Sequence, residues 1–106
     1  MKARRRTAKE LLDEGVALMD NALADAPAAK LRVLKVMADT YADLWQQSDA
    51  ARLHERRVAL LEQMGAPQGP EWVRAMAEWA NALVEASSEG QAAEVIARAR
   101  RGVADR

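Results

Sequence analysis

The sequence predicts an all-α fold, and three observations support this prediction. Apolar residues make up 50% of the 106-residue chain, and its prominent residues, such as alanine, leucine, glutamate and arginine, are strong helix formers. No stretch alternates β-branched or aromatic residues in the way that a strand does. In addition, the pattern of residues 34–57 recurs at residues 76–99 with a shift of 42, and a fixed period of this size is typical of stacked helical repeats.

Start signals define the first two helices. Thr7 and Glu10 have the spacing of a capping box, so a first helix is expected to begin there and to run to about Asp25. Pro27 favours the first turn of a helix, which predicts a second helix over about 28–46. The apolar positions expected to face the core are Leu11, Leu12, Val16, Met19 and Leu23 in the first helix, and Leu31, Leu34, Met37, Ala38, Tyr41 and Leu44 in the second.

The third helix is expected over about 49–64, with Ser48 as its N-cap residue. Gly65 ends this helix, and residues 65–70, GAPQGP, form the one clear loop that the sequence indicates. The positions expected to face the core from this helix are Leu53, Val58, Leu60, Leu61 and Met64.

Two further helices complete the pattern. The fourth is expected to begin near Glu71, and Ser88 with Gln91 forms a second capping-box pattern that begins the fifth. The positions expected to face the core are Val73, Met76, Trp79, Ala80 and Leu83 in the fourth helix, and Ala92, Val95, Ile96 and Ala99 in the fifth. Because the connections are short, we expect neighbouring helices to be antiparallel.

The recurrence sorts the five helices into two types. The second and fourth helices match each other and are called A helices, whereas the first, third and fifth match each other and are called B helices. The order is therefore B–A–B–A–B. Where two helices cross closely, a side chain larger than alanine would hold their backbones apart. The positions expected to be small for this reason are Ala38, Ala50, Ala80 and Ala92.

The spacing of the repeated residues resembles a known family. Leu34-x2-Met37-Ala38-x2-Tyr41 is followed by Ala50 and His54, and the same spacing begins again at Met76. This pattern resembles the tetratricopeptide repeat, in the 42-residue form of kinesin light chains and of arrays linked to bacterial serine/threonine kinases. The resemblance covers about residues 7–100 and implies a short right-handed solenoid of five antiparallel helices. Arg57 departs from the family pattern, which has an alanine there.

Charge is distributed unevenly along the chain, although the net charge is zero. Residues 7–97 hold 8 basic and 15 acidic side chains, a balance of −7, while both ends are basic. We therefore divide the chain into a basic N-terminal arm at 1–6, a tetratricopeptide-like domain at 7–103 and a tail at 104–106. Nucleic acid is not an expected partner, because no basic face joins the two ends.

The expected location is the cytoplasm. Cysteine is absent, which excludes a disulfide framework and thiolate metal sites. No apolar run approaches the length of about 20 residues that crosses a bilayer, and the N-terminus lacks the apolar core of a signal peptide. We therefore expect no association with a membrane.

The sequence predicts no catalytic residue, no cofactor and no metal site, so we do not expect an enzyme. His54 is the only histidine; it falls on a core-facing position and no cysteine or second histidine accompanies it. The carboxylates are scattered at helix-surface spacing. The glycines at 65, 69 and 90 do not form a phosphate-binding loop.

Resemblance to the family implies a concave groove lined by the A helices. The positions that it places there are Arg32, Lys35, Val36, Asp39 and Asp43, followed one repeat later by Arg74, Ala77, Glu78, Asn81 and Glu85. The family's clamp for a C-terminal carboxylate uses a lysine and an asparagine on successive A helices. Lys35 fits the lysine, but Asp39 replaces the asparagine and Glu78 adds negative charge. A basic protein segment would therefore suit this groove better than a carboxylate.

The functional expectation is a non-catalytic scaffold for protein–protein interaction, and the resemblance implies a regulatory part of a bacterial kinase or other signalling protein. The alternative is a self-assembling helical bundle with a structural role, because both ends of the array lack polar capping repeats and would expose apolar surface. Its partner would then be a second copy of the chain. Of the three tryptophans, Trp79 is expected in the core, while Trp45 and Trp72 are expected to pack locally rather than to anchor a partner.

Overall fold

The computed structural model describes residues 7–65 and 69–104, and this part of the chain contains five α-helices and no strand. The predicted all-α fold is therefore confirmed. The helices are α1 (Ala8–Ala22), α2 (Pro27–Asp43), α3 (Gln47–Gln63), α4 (Pro70–Glu85) and α5 (Glu89–Ala104).

Two of the predicted start signals act as expected. The Thr7 side chain accepts a hydrogen bond of 3.0 Å from the backbone N–H of Glu10, and the Glu10 carboxylate accepts one of 3.4 Å from the N–H of Thr7, so the capping box of α1 is confirmed. Pro27 and Pro70 are the first residues of α2 and α4, where a missing N–H costs nothing. α5 begins directly after Ser88.

The prediction that Ser48 caps the third helix is wrong. α3 begins one residue earlier, at Gln47, and its N-cap residue Gln46 makes no side-chain capping bond. The reason lies in the preceding turn, in which the N–H of Gln46 already donates to the carbonyl of Tyr41 at 2.8 Å. This bond turns the chain back early enough to place Ser48 inside the first helical turn. Of the predicted loop at 65–70, residues 66–68 lie outside the described part of the chain.

The turns that follow α2 and α4 share one backbone conformation. Trp45 has a φ of 60° and Ser87, which lies 42 residues later, has a φ of 62°. In each turn the next N–H reaches back five residues, from Gln46 to Tyr41 at 2.8 Å and from Ser88 to Leu83 at 2.7 Å. This left-handed C-terminal motif normally uses glycine. The backbone at both turns therefore repeats with the same shift as the sequence.

The core consists largely of the residues that the helical pattern predicts. Its largest fully buried side chains are Tyr41, Leu34, Leu53, Leu61, Met76 and Val58. The four alanines expected to be small, Ala38, Ala50, Ala80 and Ala92, are all buried, as predicted. Trp79 is partly buried against the core, and Trp72 is buried with its indole N–H donating to Glu62 at 3.1 Å.

Several residues expected to pack inward are exposed instead. Leu11 and Ile96 lie on the first and last helices, and they are 55% and 41% exposed because no further helix of the described chain covers them. Met64 is the C-cap residue of α3, at the end of its helix, and is 43% exposed. Trp45 is 83% exposed, so the prediction of local packing is wrong for this residue. Trp45 lies in the left-handed turn between α2 and α3 and belongs to neither helix.

The close helix contacts join helices that are neighbours in the chain, from α1 with α2 to α4 with α5, and the contact of α1 with α2 is the least extensive. The described Cα atoms extend over 60 × 34 × 15 Å. The longest of these extents is four times the shortest, so the helices form an elongated arrangement. Within the described residues, no helix combines the length and the apolar character needed to span a bilayer.

We expect Ser87→Gly to raise the free energy of unfolding by about 1 kcal/mol, because glycine adopts a positive φ without the steric cost that serine has there. Urea denaturation measures the change. As the control, Ala59→Gly on the exposed side of α3 should lower the same quantity by about 1 kcal/mol. A destabilised S87G variant would contradict the left-handed turn.

Candidate protein-binding face

All the predicted groove residues lie on α2 or α4, and we call the surface that they form the α2/α4 face. Its exposed members are Arg32, Val36, Asp39 and Asp43 on α2 and Arg74, Ala77, Asn81 and Glu85 on α4. The remaining two predicted residues, Lys35 and Glu78, are half-buried. The structure brings these two together, because Lys35 Nζ lies 3.2 Å from Glu78 Oε2. This bridge joins α2 to α4.

Lys35 connects two carboxylates. Its ammonium group also lies 3.2 Å from Asp39 Oδ2, one helical turn further along α2. Burial alone would lower the pKa of Lys35, but hydrogen bonds to Glu78 and Asp39 outweigh that effect and raise it. Burial likewise works to raise the pKa of Glu78, and the charges of Arg57 and Lys35 lower it below its usual value. Both groups are therefore charged at neutral pH.

A buried arginine from α3 completes this arrangement, and sequence reasoning did not assign it to the site. Arg57 is only 4% exposed, and its NH1 group donates to Glu78 Oε2 at 3.0 Å and to His54 Nδ1 at 2.9 Å. Its Nε is buried without a hydrogen-bond partner among the described residues. The signal that could have found it is the departure from the family pattern, since a large charged residue stands where an alanine is expected.

His54 is buried, as its core-facing position predicts, and it is neutral. An arginine N–H can only donate, so the hydrogen bond from Arg57 requires an unprotonated Nδ1 with the proton on Nε2. Burial, and then the charge of Arg57, lower the pKa of His54 to about 4. The nearest carboxylate, Glu78 Oε2, lies 4.0 Å from Nδ1 and is already bound by two cations.

Metal-binding atoms also converge at this point. The ligand atoms of Asp39, His54 and Glu78 all lie within 4.8 Å of one another. However, Lys35 and Arg57 donate hydrogen bonds to these same three residues and supply two positive charges. A metal ion would have to displace both cations, so the arrangement fits an internal network of ion pairs better than a metal centre. We refer to Lys35, Asp39, His54, Arg57 and Glu78 as the Glu78 cluster.

The C-terminal ends of α2 and α4 are acidic in a way that helix stability does not explain. Asp43 and Glu85, which are 42 residues apart, are the last residues of α2 and α4, and both are exposed. Neither helix carries a basic residue in its last turn. The C-terminus of a helix has a partial negative charge, so a carboxylate there is unfavourable by a few tenths of a kcal/mol to about 1 kcal/mol. An unfavourable carboxylate therefore ends both helices, at positions 42 residues apart.

Comparisons with family models, with curated proteins and with solved structures yield no match. The functional assignment therefore depends on the residues described above.

The buried His54 makes the stability depend on pH. The unfolded chain binds a proton at His54 below pH 6.5, whereas the folded chain does so only below about 4. The free energy of unfolding should therefore fall as the pH is lowered through this interval. We expect a loss of about 2 to 3 kcal/mol between about pH 7 and about pH 4.5, at roughly 1.4 kcal/mol per pKa unit. His54→Gln should remove most of this loss in urea denaturation, and an equally steep loss in H54Q would contradict the assignment.

The Glu78 cluster should respond differently to the removal of one partner and of both. Glu78→Gln leaves Arg57 buried without its counter-charge, so we expect the free energy of unfolding to fall by about 3 kcal/mol. The double variant Arg57→Met/Glu78→Met removes both charges together and should lie within about 1 kcal/mol of the wild type. If urea denaturation shows the double variant to be the less stable of the two, the ion pair is not the source of the effect.

Proposed function

We propose that this chain is a non-catalytic scaffold with a tetratricopeptide-like arrangement, which binds a basic segment of another protein on the α2/α4 face. The observation that carries the proposal is the pair of exposed carboxylates, Asp43 and Glu85, at equivalent helix ends where they oppose the helix dipole. Residues that lower the stability of their own helix, here at positions 42 residues apart, occur most often at functional sites.

Several features of the helices support an open stack rather than a closed bundle. Each of the A–B connections, 44–46 and 86–88, contains three residues, and connections this short favour antiparallel neighbours. α2 and α4 begin and end close to one 42-residue shift from each other, as do α3 and α5. Contacts between chain neighbours and the 15 Å thickness also suit a solenoid. In such a stack the two A helices form one continuous binding surface.

The charges of the face favour a basic ligand over an acidic one. Lys35 is already paired with Asp39 and Glu78, so it does not offer a free positive charge to a carboxylate. Asp43 and Glu85 are exposed at one end of the face and can pair with lysine or arginine side chains of a ligand. At the other end, the basic residues Arg32 and Arg74 would orient a ligand whose charge is unevenly distributed.

An exposed aromatic residue adds to the acidic end. Trp45 follows Asp43 by two residues and is 83% exposed. A tryptophan ring binds guanidinium and ammonium groups through cation–π interactions, and exposed tryptophans of this kind are common anchors at protein interfaces. Trp45 and Asp43 together would therefore favour arginine or lysine at one position of the ligand.

The test uses the double variant Asp43→Lys/Glu85→Lys and a short fluorescein-labelled peptide of alternating arginine and alanine. We expect fluorescence anisotropy to show binding to the wild type, which weakens as salt screens the charges. Binding to D43K/E85K should be roughly tenfold weaker or more, which corresponds to at least about 1.4 kcal/mol. The fold should at the same time gain about 0.5 kcal/mol per site, because lysine complements the helix C-terminus.

These opposite changes in affinity and stability separate loss of binding from loss of structure. The matched control is Glu55→Lys/Glu94→Lys, which changes the net charge by the same amount on exposed positions of α3 and α5. This control should retain most of the affinity. Equal weakening in both double variants would mean that the peptide responds only to net charge, and undiminished binding to D43K/E85K would refute the proposed site.

A further inference from the structure

A pocket of about 450 Å³ lies between α3, α4 and α5, and we call it the α3/α5 pocket. Its apolar lining comes from Ala51 of α3, Trp79 and Leu83 of α4, and Val95 of α5. Ala51, Leu83 and Val95 are buried, and Trp79 is partly buried. Pockets that hold small molecules have volumes of about 300 to 1,000 Å³ and mainly apolar walls with a few polar groups. The α3/α5 pocket has this size and this kind of wall.

Two arginines also line the pocket, and both are already paired with carboxylates. Arg52 Nη2 lies 2.7 Å from Asp49 Oδ1, and Arg98 of α5 donates a hydrogen bond to Glu62 of α3. Because the charges of both arginines are compensated, the pocket offers no unpaired cation to an anionic ligand.

The pair between Arg98 and Glu62 has a counterpart earlier in the chain. With a shift of 42 residues, Arg56 of α3 pairs with Asp20 of α1. At this point, therefore, α1 and α3 approach each other as α3 and α5 do. The side chains around the two ion pairs can be compared position by position.

Between α1 and α3, a lysine of the chain itself occupies the position that corresponds to the pocket. Lys9 Nζ lies 2.9 Å from Asp13 Oδ2 on α1 and 3.6 Å from Asp49 Oδ2 on α3. The hydroxyl group of Tyr41 on α2 donates a hydrogen bond to the same Asp13 carboxylate. An ammonium group and a phenol ring therefore satisfy this carboxylate from within the molecule.

In the α3/α5 pocket the carboxylate is retained, but both of its partners are missing. After the shift of 42 residues, Glu55 stands in the position of Asp13. Ala51 and Leu83 take the positions of the lysine and the tyrosine. Alanine and leucine are smaller and carry no polar group, so the space that the lysine and the phenol fill between α1 and α3 stays open here.

A second carboxylate increases the negative charge of the pocket. Glu94 lines it and takes the position that Arg52 has in the earlier repeat, so an acidic residue replaces a basic one. Among the described residues, neither Glu55 nor Glu94 has an ion pair or a side-chain hydrogen bond. Two unpaired carboxylates beside the ring of Trp79 favour a cationic ligand.

We propose that the α3/α5 pocket binds a small primary amine with an apolar body. Its ammonium group takes the place that Lys9 has between α1 and α3, against Glu55 and Glu94, and its body packs on Trp79 and Leu83. The chain thus takes from solution the cation that it supplies itself one repeat earlier. The pocket shares no residue with the α2/α4 face, so this inference does not depend on the function of that face.

The first experiment compares ligands by isothermal titration calorimetry on the full chain at neutral pH. We expect 2-phenylethylamine to bind with a dissociation constant below about 1 mM. The matched alcohol, 2-phenylethanol, should bind roughly tenfold more weakly or less, because it lacks the charge. The anion 3-phenylpropionate should not bind. Nα-acetyl-lysine amide, which carries the ammonium group of a protein lysine on a more polar body, should also bind roughly tenfold more weakly.

The second experiment changes the pocket. Glu55→Gln/Glu94→Gln should weaken 2-phenylethylamine roughly tenfold or more and leave 2-phenylethanol unchanged, because only the charge is removed. Ala51→Lys restores the internal lysine, so it should abolish binding of the amine and raise the urea midpoint of unfolding. As the control, Glu71→Gln, at the exposed start of α4, should bind the amine like the wild type. If circular dichroism shows that A51K is unfolded, Ala51→Leu fills the same space and should weaken the amine and the alcohol alike.

Four outcomes would overturn the proposal. The first is a wild type that does not bind 2-phenylethylamine, and the second is equal affinity for the amine and the alcohol. The third is equal affinity for Nα-acetyl-lysine amide, which would indicate the lysine of a protein rather than a small molecule. The fourth is displacement of the amine by the arginine–alanine peptide that tests the α2/α4 face, which would mean that the two sites are not separate.

Discussion

The ion pair between Arg57 and Glu78 is the interaction on which the middle of the molecule depends. A guanidinium that is 4% exposed is tolerated only when a carboxylate compensates it, and Glu78 supplies that charge from the next helix at 3.0 Å. Lys35 binds the same oxygen from α2. Three helices therefore meet at one carboxylate. The Nε of Arg57 is buried without a hydrogen-bond partner among the described residues, which lowers the stability that this arrangement provides.

α4 and α5 have nearly the same helix bounds as α2 and α3 after a shift of 42 residues, but different interior side chains. Positions equivalent to Lys35, His54 and Arg57 are Ala77, Ile96 and Ala99, so charges are replaced by small or apolar side chains. A polar interior accepts only a helix with a carboxylate at the right place, whereas an apolar one accepts any helix of suitable shape. The charged interface therefore favours α4 as the neighbour of α3. The apolar side chains of α5, such as Ile96 and Val103, are not covered by a further helix of the described residues.

Sequence reasoning predicted what depends on local spacing. The capping box at Thr7 and the small core alanines such as Ala50 follow from helical geometry alone, and both are confirmed. The resemblance to the tetratricopeptide family implies a shared face for Lys35 and Glu78, and the two side chains are in contact at 3.2 Å. Exposure at the ends could not be predicted in this way. Leu11 has the same pattern as Leu53, and only the presence of α2 beside Leu53 makes one exposed and the other buried.

The cluster around Glu78 was less accessible from sequence, because its members come from three helices and their meeting depends on how those helices pack. His54 was correctly placed inside, but its neutral state follows from burial and from Arg57, which no spacing rule connects to it. Ser48 shows the same limit at a smaller scale. It has the chemistry of an N-cap residue, yet the backbone of the preceding turn decides where α3 begins.

Residues that lower local stability occur at both A–B turns, 44–46 and 86–88, and at the helix ends before them. Trp45 and Ser87 adopt a positive φ, which is unfavourable for any residue with a side chain. Two residues earlier, Asp43 and Glu85 place a negative charge at the C-terminus of a helix, where it opposes the helix dipole. Glycine and lysine at these positions would be more stable. Folding does not explain why residues that lower local stability occur at both turns, at positions 42 residues apart. They are the features that a site for a basic partner would require, with negative charge held beyond the helix ends and, at the first turn, an aromatic ring kept in solvent.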